Sequence, residues 1–253
     1  MNITVTMLLT VCPLAFLAGF VDASAGGGGL ISLPAYYLAG LPPVLAAGTN
    51  KLSASLGTLA SSARFAVSRR VNAAVALLAA CGAFPGSWLG TELLRHIPEQ
   101  SVRVMMLVLI PMAALVVLWE GRQLGAVRRI PAGAGKPVSL LIGFAVGFYD
   151  GLVGPGTGTF LILLFTTVLG LEAVTASGTA KLVNLASNIA ALAALMAAGQ
   201  VLWLLGLPAA ACGVAGNILG AGMTIRRGSR FIRRMLMAAL ALLLAKMLLD
   251  VIK

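Results

Sequence analysis

Two stretches decide how this chain is read: "GFVDASAGGGG" at Gly19–Gly29 and "GFYDGLVGPGTG" at Gly147–Gly158. Each sets an aspartate in an apolar run and follows it with a cluster of glycines. A shift of 128 residues lays Gly19, Phe20, Asp22, Gly26 and Gly28 on Gly147, Phe148, Asp150, Gly154 and Gly156. Further on, a shift of 130 lays "GTNKL" (Gly48–Leu52) on "GTAKL" (Gly178–Leu182). The same shift pairs Gly86, Leu89 and Gly90 with Gly216, Leu219 and Gly220, and Arg103 and Met105 with Arg233 and Met235. Glycines coincide by chance in a chain that holds 30 of them. An ordered series of Asp, Thr, Lys and Arg with a two-residue drift does not, so duplication is the better account.

The solvent for these repeats is lipid. The chain has 253 residues, 60% of them hydrophobic and only 10% charged, and its mean hydropathy is +1.02. Soluble domains carry about 25% charged residues. Apolar runs such as Ile3–Phe20, Val71–Leu94 and Val102–Trp119 approach the ~20 residues a helix needs to cross hydrocarbon. They do not alternate with period two, which disfavours a β-barrel. The sequence therefore predicts an all-α polytopic membrane protein.

Each half divides into five apolar segments, near 4–21, 29–40, 44–67, 71–94 and 101–119, then 138–150, 157–170, 173–198, 200–222 and 232–250. The division is a first membrane repeat over 1–120, a basic linker over 121–137 and a second repeat over 138–253. The second segment is short in both halves, suiting a half-helix or re-entrant element better than a full crossing; the total is 8–10 spans. The net charge of +11 resides in connectors: Arg69 and Arg70, Arg122 to Lys136, and Arg226 to Arg234. Such clusters mark the cytoplasmic side of a membrane protein, not a nucleic-acid surface. The basic connector lies between the third and fourth segments in the first half and between the fourth and fifth in the second. That switch is expected of inverted-topology repeats, with the linker cytoplasmic and both termini outside. The N-terminus has no basic leader and reads as a retained span.

The polar residues inside the apolar runs are the candidate site. Asp22 and Asp150 sit where the first segment of each half breaks. Unwound backbone at membrane depth is tolerated only if buried in protein or lining a wet cavity. A short helix opens after each cluster, at Leu30 and Thr159, and its free N–H groups suit an anion. Candidate ligands are thus Gly26, Gly27, Gly28 and Gly29 in the first break and Gly154, Gly156, Thr157 and Gly158 in the second. Lys51 and Lys181 occupy equivalent positions in "AGTNKLSAS" and "SGTAKLVNLASN". A lysine facing lipid at a helix centre costs about 2.5–3.5 kcal/mol on insertion scales, so both face inward, paired with Asp22 and Asp150 or balancing a bound anion. Thr49 and Asn50 beside Lys51, and Thr179, Asn184 and Asn188 around Lys181, can complete an oxyanion shell or form interhelical hydrogen bonds. Asp22 and Asp150 are candidates for a proton step.

Soluble-enzyme signatures fail on context. "GPGTGT" (Gly154–Thr159) lacks the GK[ST] and the preceding strand of a phosphate loop. Tyr149–Asp150 lacks the Gly-x-Gly-Asp partner of intramembrane aspartyl proteases. Cys12, Cys81 and Cys212 have no metal or redox spacing. The reading is of a non-enzyme that needs no cofactor and no metal, whose partners are the bilayer and a small anion, with a homodimer left open.

The segments "GFVDASAGGGGLISLPAYYLAGLPPVLAAGTNKLSAS" and "GFYDGLVGPGTGTFLILLFTTVLGLEAVTASGTAKLVNLASN" resemble the sulfite exporter TauE/SafE family over nearly the whole chain. The resemblance implies a bacterial inner-membrane permease that moves sulfite, sulfonates or related sulfur-containing anions, usually outward and coupled to protons. A cation/proton antiporter built on Asp22 and Asp150 is the rival within transport, disfavoured by the paired lysines. A non-transporting assembly factor is the rival outside it, without a long soluble loop to support it.

Overall fold

The computed structural model describes residues 3–98, 100–102, 104 and 135–252, with backbone alone for 229, 233 and 236–252. Most of the fifth segment of the first half and most of the linker lie outside them. The described residues form helices and connectors, with no strand among them: α1 (Val5–Ala25), α2 (Gly29–Leu38), α3 (Pro43–Val67), α4 (Ala73–His96), α5 (Gly135–Leu152), α6 (Thr157–Thr167), α7 (Ala173–Ala197) and α8 (Trp203–Ile252). The halves thus contribute α1–α4 and α5–α8. The short second elements, α2 and α6, have 10 and 11 residues. They begin at Gly29 and Thr157, one and two residues before the starts expected at Leu30 and Thr159. In the second half no loop separates the fourth and fifth segments. Helix α8 runs through Arg226 and Arg227, bends at Gly228, whose φ of 66° leaves the helical region, and resumes.

The solvent preference of the surface is inverted relative to a soluble protein. Val5, Leu9, Leu77, Leu141 and Leu204 point outward, each more than two-thirds exposed, while Lys51, Asp150, Lys181, Asn184 and Asn188 are buried. Helices α1, α4, α7 and the Trp203–Gly228 part of α8 are long and apolar enough to cross a membrane. Helix α3, with 25 residues, is as long but less apolar, because its Thr, Asn, Lys and Ser positions face the interior. An inward polar face on a membrane helix means a protein-lined site, since hydrocarbon offers those groups no partner.

Packing repeats along with the sequence. Helix α4 lies along α5, and α8 along α1. Gly86 and Gly90 of α4 rest on the backbone at Phe144 and Phe148 of α5; Gly216 and Gly220 of α8 rest on Phe16 and Phe20 of α1. A Cβ at any of the four would collide with a carbonyl oxygen, which is why small residues at four-residue spacing hold these helix pairs together. Every residue in one set maps onto the other by the shift of 128 or 130, with the halves exchanged. Elsewhere the same exchange holds. The Thr49 hydroxyl accepts the Leu202 N–H at 3.0 Å, and Thr179 accepts the Asn72 N–H at 3.0 Å. Gly48 abuts the Gln200 carbonyl as Gly178 abuts that of Arg70. Glu172 caps α7 by accepting the N–H groups of Val174 and Thr175, two of the donors that a helix start leaves free.

Candidate functional site

The two glycine breaks meet. At the first, Gly26 ends α1 in the left-handed conformation (φ 76°), its N–H donating to the Asp22 carbonyl at 2.8 Å. A Cβ on Gly26 would run into the backbone of Gly158 at the start of α6. Thr159 seals the contact by donating to the Ala25 carbonyl at 2.7 Å. At the second break Gly154 and Gly156 both adopt positive φ, 90° and 85°, conformations that glycine reaches without a Cβ penalty. Tyr149 holds that loop by donating to the Pro155 carbonyl at 2.7 Å.

Each aspartate finds its lysine in the opposite half. Lys51 Nζ of α3 lies 2.7 Å from Asp150 Oδ2 and 2.9 Å from Asn188 Oδ1. Lys181 Nζ of α7 lies 2.8 Å from Asp22 Oδ2. The carboxylate pairing weighed from sequence is therefore the geometry present, crossed between the repeats. Each aspartate also stands at the opening of its own half's short helix. Thr157 Oγ1, the first residue of α6, is 2.8 Å from Asp150 Oδ1, and Gly28, just before α2, packs so closely on Asp22 that a Cβ there would overlap its side chain. The positive helix ends thus already face carboxylates. Ser187 adds a third group to Asp150, 2.7 Å from Oδ2.

Between the breaks lies a cavity of about 60 Å³ lined by residues of α1, α2, α3, α5, α6, α7 and α8, room for several water-sized groups. Of the residues picked from sequence, Asp22, Gly26, Gly28, Gly29, Asn50, Lys51, Asp150, Gly154, Thr157, Gly158, Asn184 and Asn188 line it. Gly27, Thr49, Gly156, Thr179 and Lys181 do not. Gly27 and Gly156 shape the breaks, their carbonyls accepting Leu30 and Phe160 N–H groups. Thr49 and Thr179 tie each half to the other's fourth helix, as described above. Lys181 is fully buried behind Asp22. Sequence reasoning missed Asn217 of α8, which lines the cavity and is 3% exposed. An amide within the apolar run "GVAGNILGAG" was the available signal.

Outward apolar helices, inward polar faces and two broken elements around a small cavity define a polytopic membrane protein with a protein-lined polar site. The chain belongs to the sulfite exporter TauE/SafE family, whose model matches residues 11–247. It is 37% identical over 250 residues to a "Probable membrane transporter protein" of Haemophilus influenzae, covering 99% of this chain and 98% of that protein. It is 34% identical over 236 residues to the "Probable membrane transporter protein YfcA" of Escherichia coli K12, covering 93% and 87% respectively. A "Probable membrane transporter protein ORF9" of a Sinorhizobium species is 32% identical over 242 residues, covering 93% and 90%. No solved structure matches the chain.

Proposed function

We propose that the protein is a secondary transporter that exports sulfite, a sulfonate or a related sulfur-containing anion across the bacterial inner membrane by alternating access. The observation that carries this reading is the cavity between the two glycine breaks, with Lys51 in its wall. An entering oxyanion takes up Lys51 and the amides of Asn50, Asn184 and Asn188 in competition with Asp150. The small cavity, about 60 Å³, favours a small anion over a nucleotide or a sugar phosphate. Coupling to protons proceeds through Asp22 and Asp150, the carboxylates beside the two lysines. The exchange of contacts between the halves supports inverted repeats related by a two-fold axis in the membrane plane. Rocking one repeat against the other then opens the same cavity to each side in turn.

The test is sulfite and sulfonate flux in proteoliposomes, with internal pH followed by a trapped dye. Sulfite movement with a proton flux, lost in Lys51→Ala, is the expected outcome. Normal sulfite transport by both Lys51→Ala and Lys181→Ala removes the anion site. A proton flux driven by Na⁺ and indifferent to sulfite makes the protein a cation/proton antiporter instead.

A further inference from the structure

The two aspartates are repeat equivalents, yet their surroundings differ in kind. Asp150 is saturated: Lys51 Nζ, Thr157 Oγ1 and Ser187 Oγ lie 2.7, 2.8 and 2.7 Å from its oxygens. Subtracting the shifts of 128 and 130 puts Gly29 where the second half has Thr157 and Gly57 where it has Ser187. Asp22 has thereby lost both hydroxyls, and Lys181 is its one side-chain partner among the described residues. The side chain of Asp22 is 16% exposed, against 3% for Asp150.

The space left by Gly57 belongs to Asn217, since a Cβ on Gly57 would strike Asn217 Nδ2. That nitrogen donates to the Gly213 carbonyl at 3.0 Å. A carbonyl partner fixes which end of the amide is NH₂, so Oδ1 is the free end. It is buried without a hydrogen-bond partner, and so is Asn50 Oδ1. Asn217 and Asn50 are 3% and 7% exposed, and both line the cavity with Asp22. Buried acceptors are nearly always paired, and these two oxygens, on residues that line the cavity with the Asp22 carboxylate, lack their donor. The lining thus includes a cation, Lys51, held by Asp150, and an acceptor corner, the oxygens of Asp22, Asn50 and Asn217. Lys181, the counter-charge of Asp22, does not line the cavity.

We propose that the cargo is a small zwitterion, whose anionic group engages Lys51 and whose primary ammonium is received by Asp22 and the amide oxygens of Asn50 and Asn217. The inference rests on the anion-transport reading and adds the second half of the recognition. A bare oxyanion satisfies Lys51 and the amide N–H groups but brings these three acceptors no donor. An ammonium has three donors to meet them. The small cavity, about 60 Å³, favours a short spacer between the two charged groups.

The test compares 2-aminoethanesulfonate with ethanesulfonate, which share the anionic group and differ by the ammonium, alongside sulfite. Binding is measured by calorimetry on the full-length protein in nanodiscs and Na⁺-free buffer. The aminated sulfonate is expected to bind about tenfold tighter or better, the gain from hydrogen bonds to a charged group. Asn217→Ala cuts that gain by about half or more on a logarithmic scale while ethanesulfonate affinity holds. Asn217→Ala leaves no charge unpaired, and the wild-type comparison needs no variant, so a misfolded variant does not spoil the test. Equal affinity for the two sulfonates, with sulfite also bound, overturns the zwitterion and leaves the anion transporter standing. Sulfite affinity raised by Na⁺ in an Asn217-dependent way gives the acceptor corner to a metal cation and also overturns it. Binding of none of the three compounds overturns both readings.

Discussion

The half-site at Asp150 and the half-site at Asp22 occupy matching positions in the two halves and are built differently. At Asp150 the carboxylate is fixed by a lysine and two hydroxyls, and both partners of the ion pair line the cavity. At Asp22 the lysine is sealed and the carboxylate meets the cavity. Glycine at positions 29 and 57, where the second half has Thr157 and Ser187, accompanies the difference. The lesson is that a repeated frame keeps its packing while one ion pair shows both members to the cavity and the other only its carboxylate. The ladder of glycines between α4 and α5 recurs between α8 and α1, so the frame is common. The hydroxyls around the carboxylates are where the halves part.

The largest expected effect follows from the sealed lysine. Asp22→Asn leaves Lys181 charged in a site where it is 0% exposed, and breaking a buried pair costs about 3–5 kcal/mol. Thermal unfolding in detergent should show that loss, with most of it recovered in Asp22→Asn/Lys181→Met. Asp150→Asn should cost less, about 2–3 kcal/mol, because Lys51 keeps Asn188 at 2.9 Å and faces the cavity. The reverse order would break the comparison between the half-sites.

Next is the contact between the breaks. Gly26→Ala meets both a left-handed φ of 76° and the backbone of Gly158; overpacking and strain together amount to roughly 3 kcal/mol. Gly40→Ala is the control, with a φ of 82° but open space around it, and should cost about 1 kcal/mol in the same unfolding measurement. If the two alanines cost the same, the breaks do not touch.

A smaller effect sharpens the divergence itself. Gly57→Ser gives the first half the residue at the second half's position 187 but collides with Asn217, at about 1–3 kcal/mol. Adding Asn217→Ser, which copies Ser87, should restore most of the stability. A double variant no more stable than the single one would show that the two positions do not compensate. The smallest effects belong to the shared frame. Thr49→Val and Thr179→Val each remove one acceptor for a helix-start N–H and should cost about 1 kcal/mol apiece. Clearly unequal losses would mean that the frame has diverged as well.

Much of this protein was legible from its residues. The shifts of 128 and 130, the breaks after Asp22 and Asp150 and the short second elements all follow from local sequence: glycine clusters end helices, and apolar length fixes what can span. Burial of Lys51 and Lys181 was also readable, since a lysine cannot cheaply face lipid. Which carboxylate each lysine meets was not. The pairs join residues 99 and 159 positions apart, and nothing at either end names its partner. Thr49 and Thr179 looked like ligands because a hydroxyl suits an oxyanion and a helix N–H equally well. Asn217 stayed hidden because its importance comes from the missing side chain at Gly57, on a different helix.

The amino-acid order alone gave the solvent, the recurrence of residues at shifts of 128 and 130, and the polar groups that must face inward, because those depend on composition and on spacing along one chain. Only the tertiary structure decided that the ion pairs cross between halves, that Asp22 and not Lys181 meets the cavity, and that Asn217 completes its wall. Those outcomes depend on how separate helices close around one another, and the free energy of a buried polar group is set by neighbours that the chain brings together only when folded.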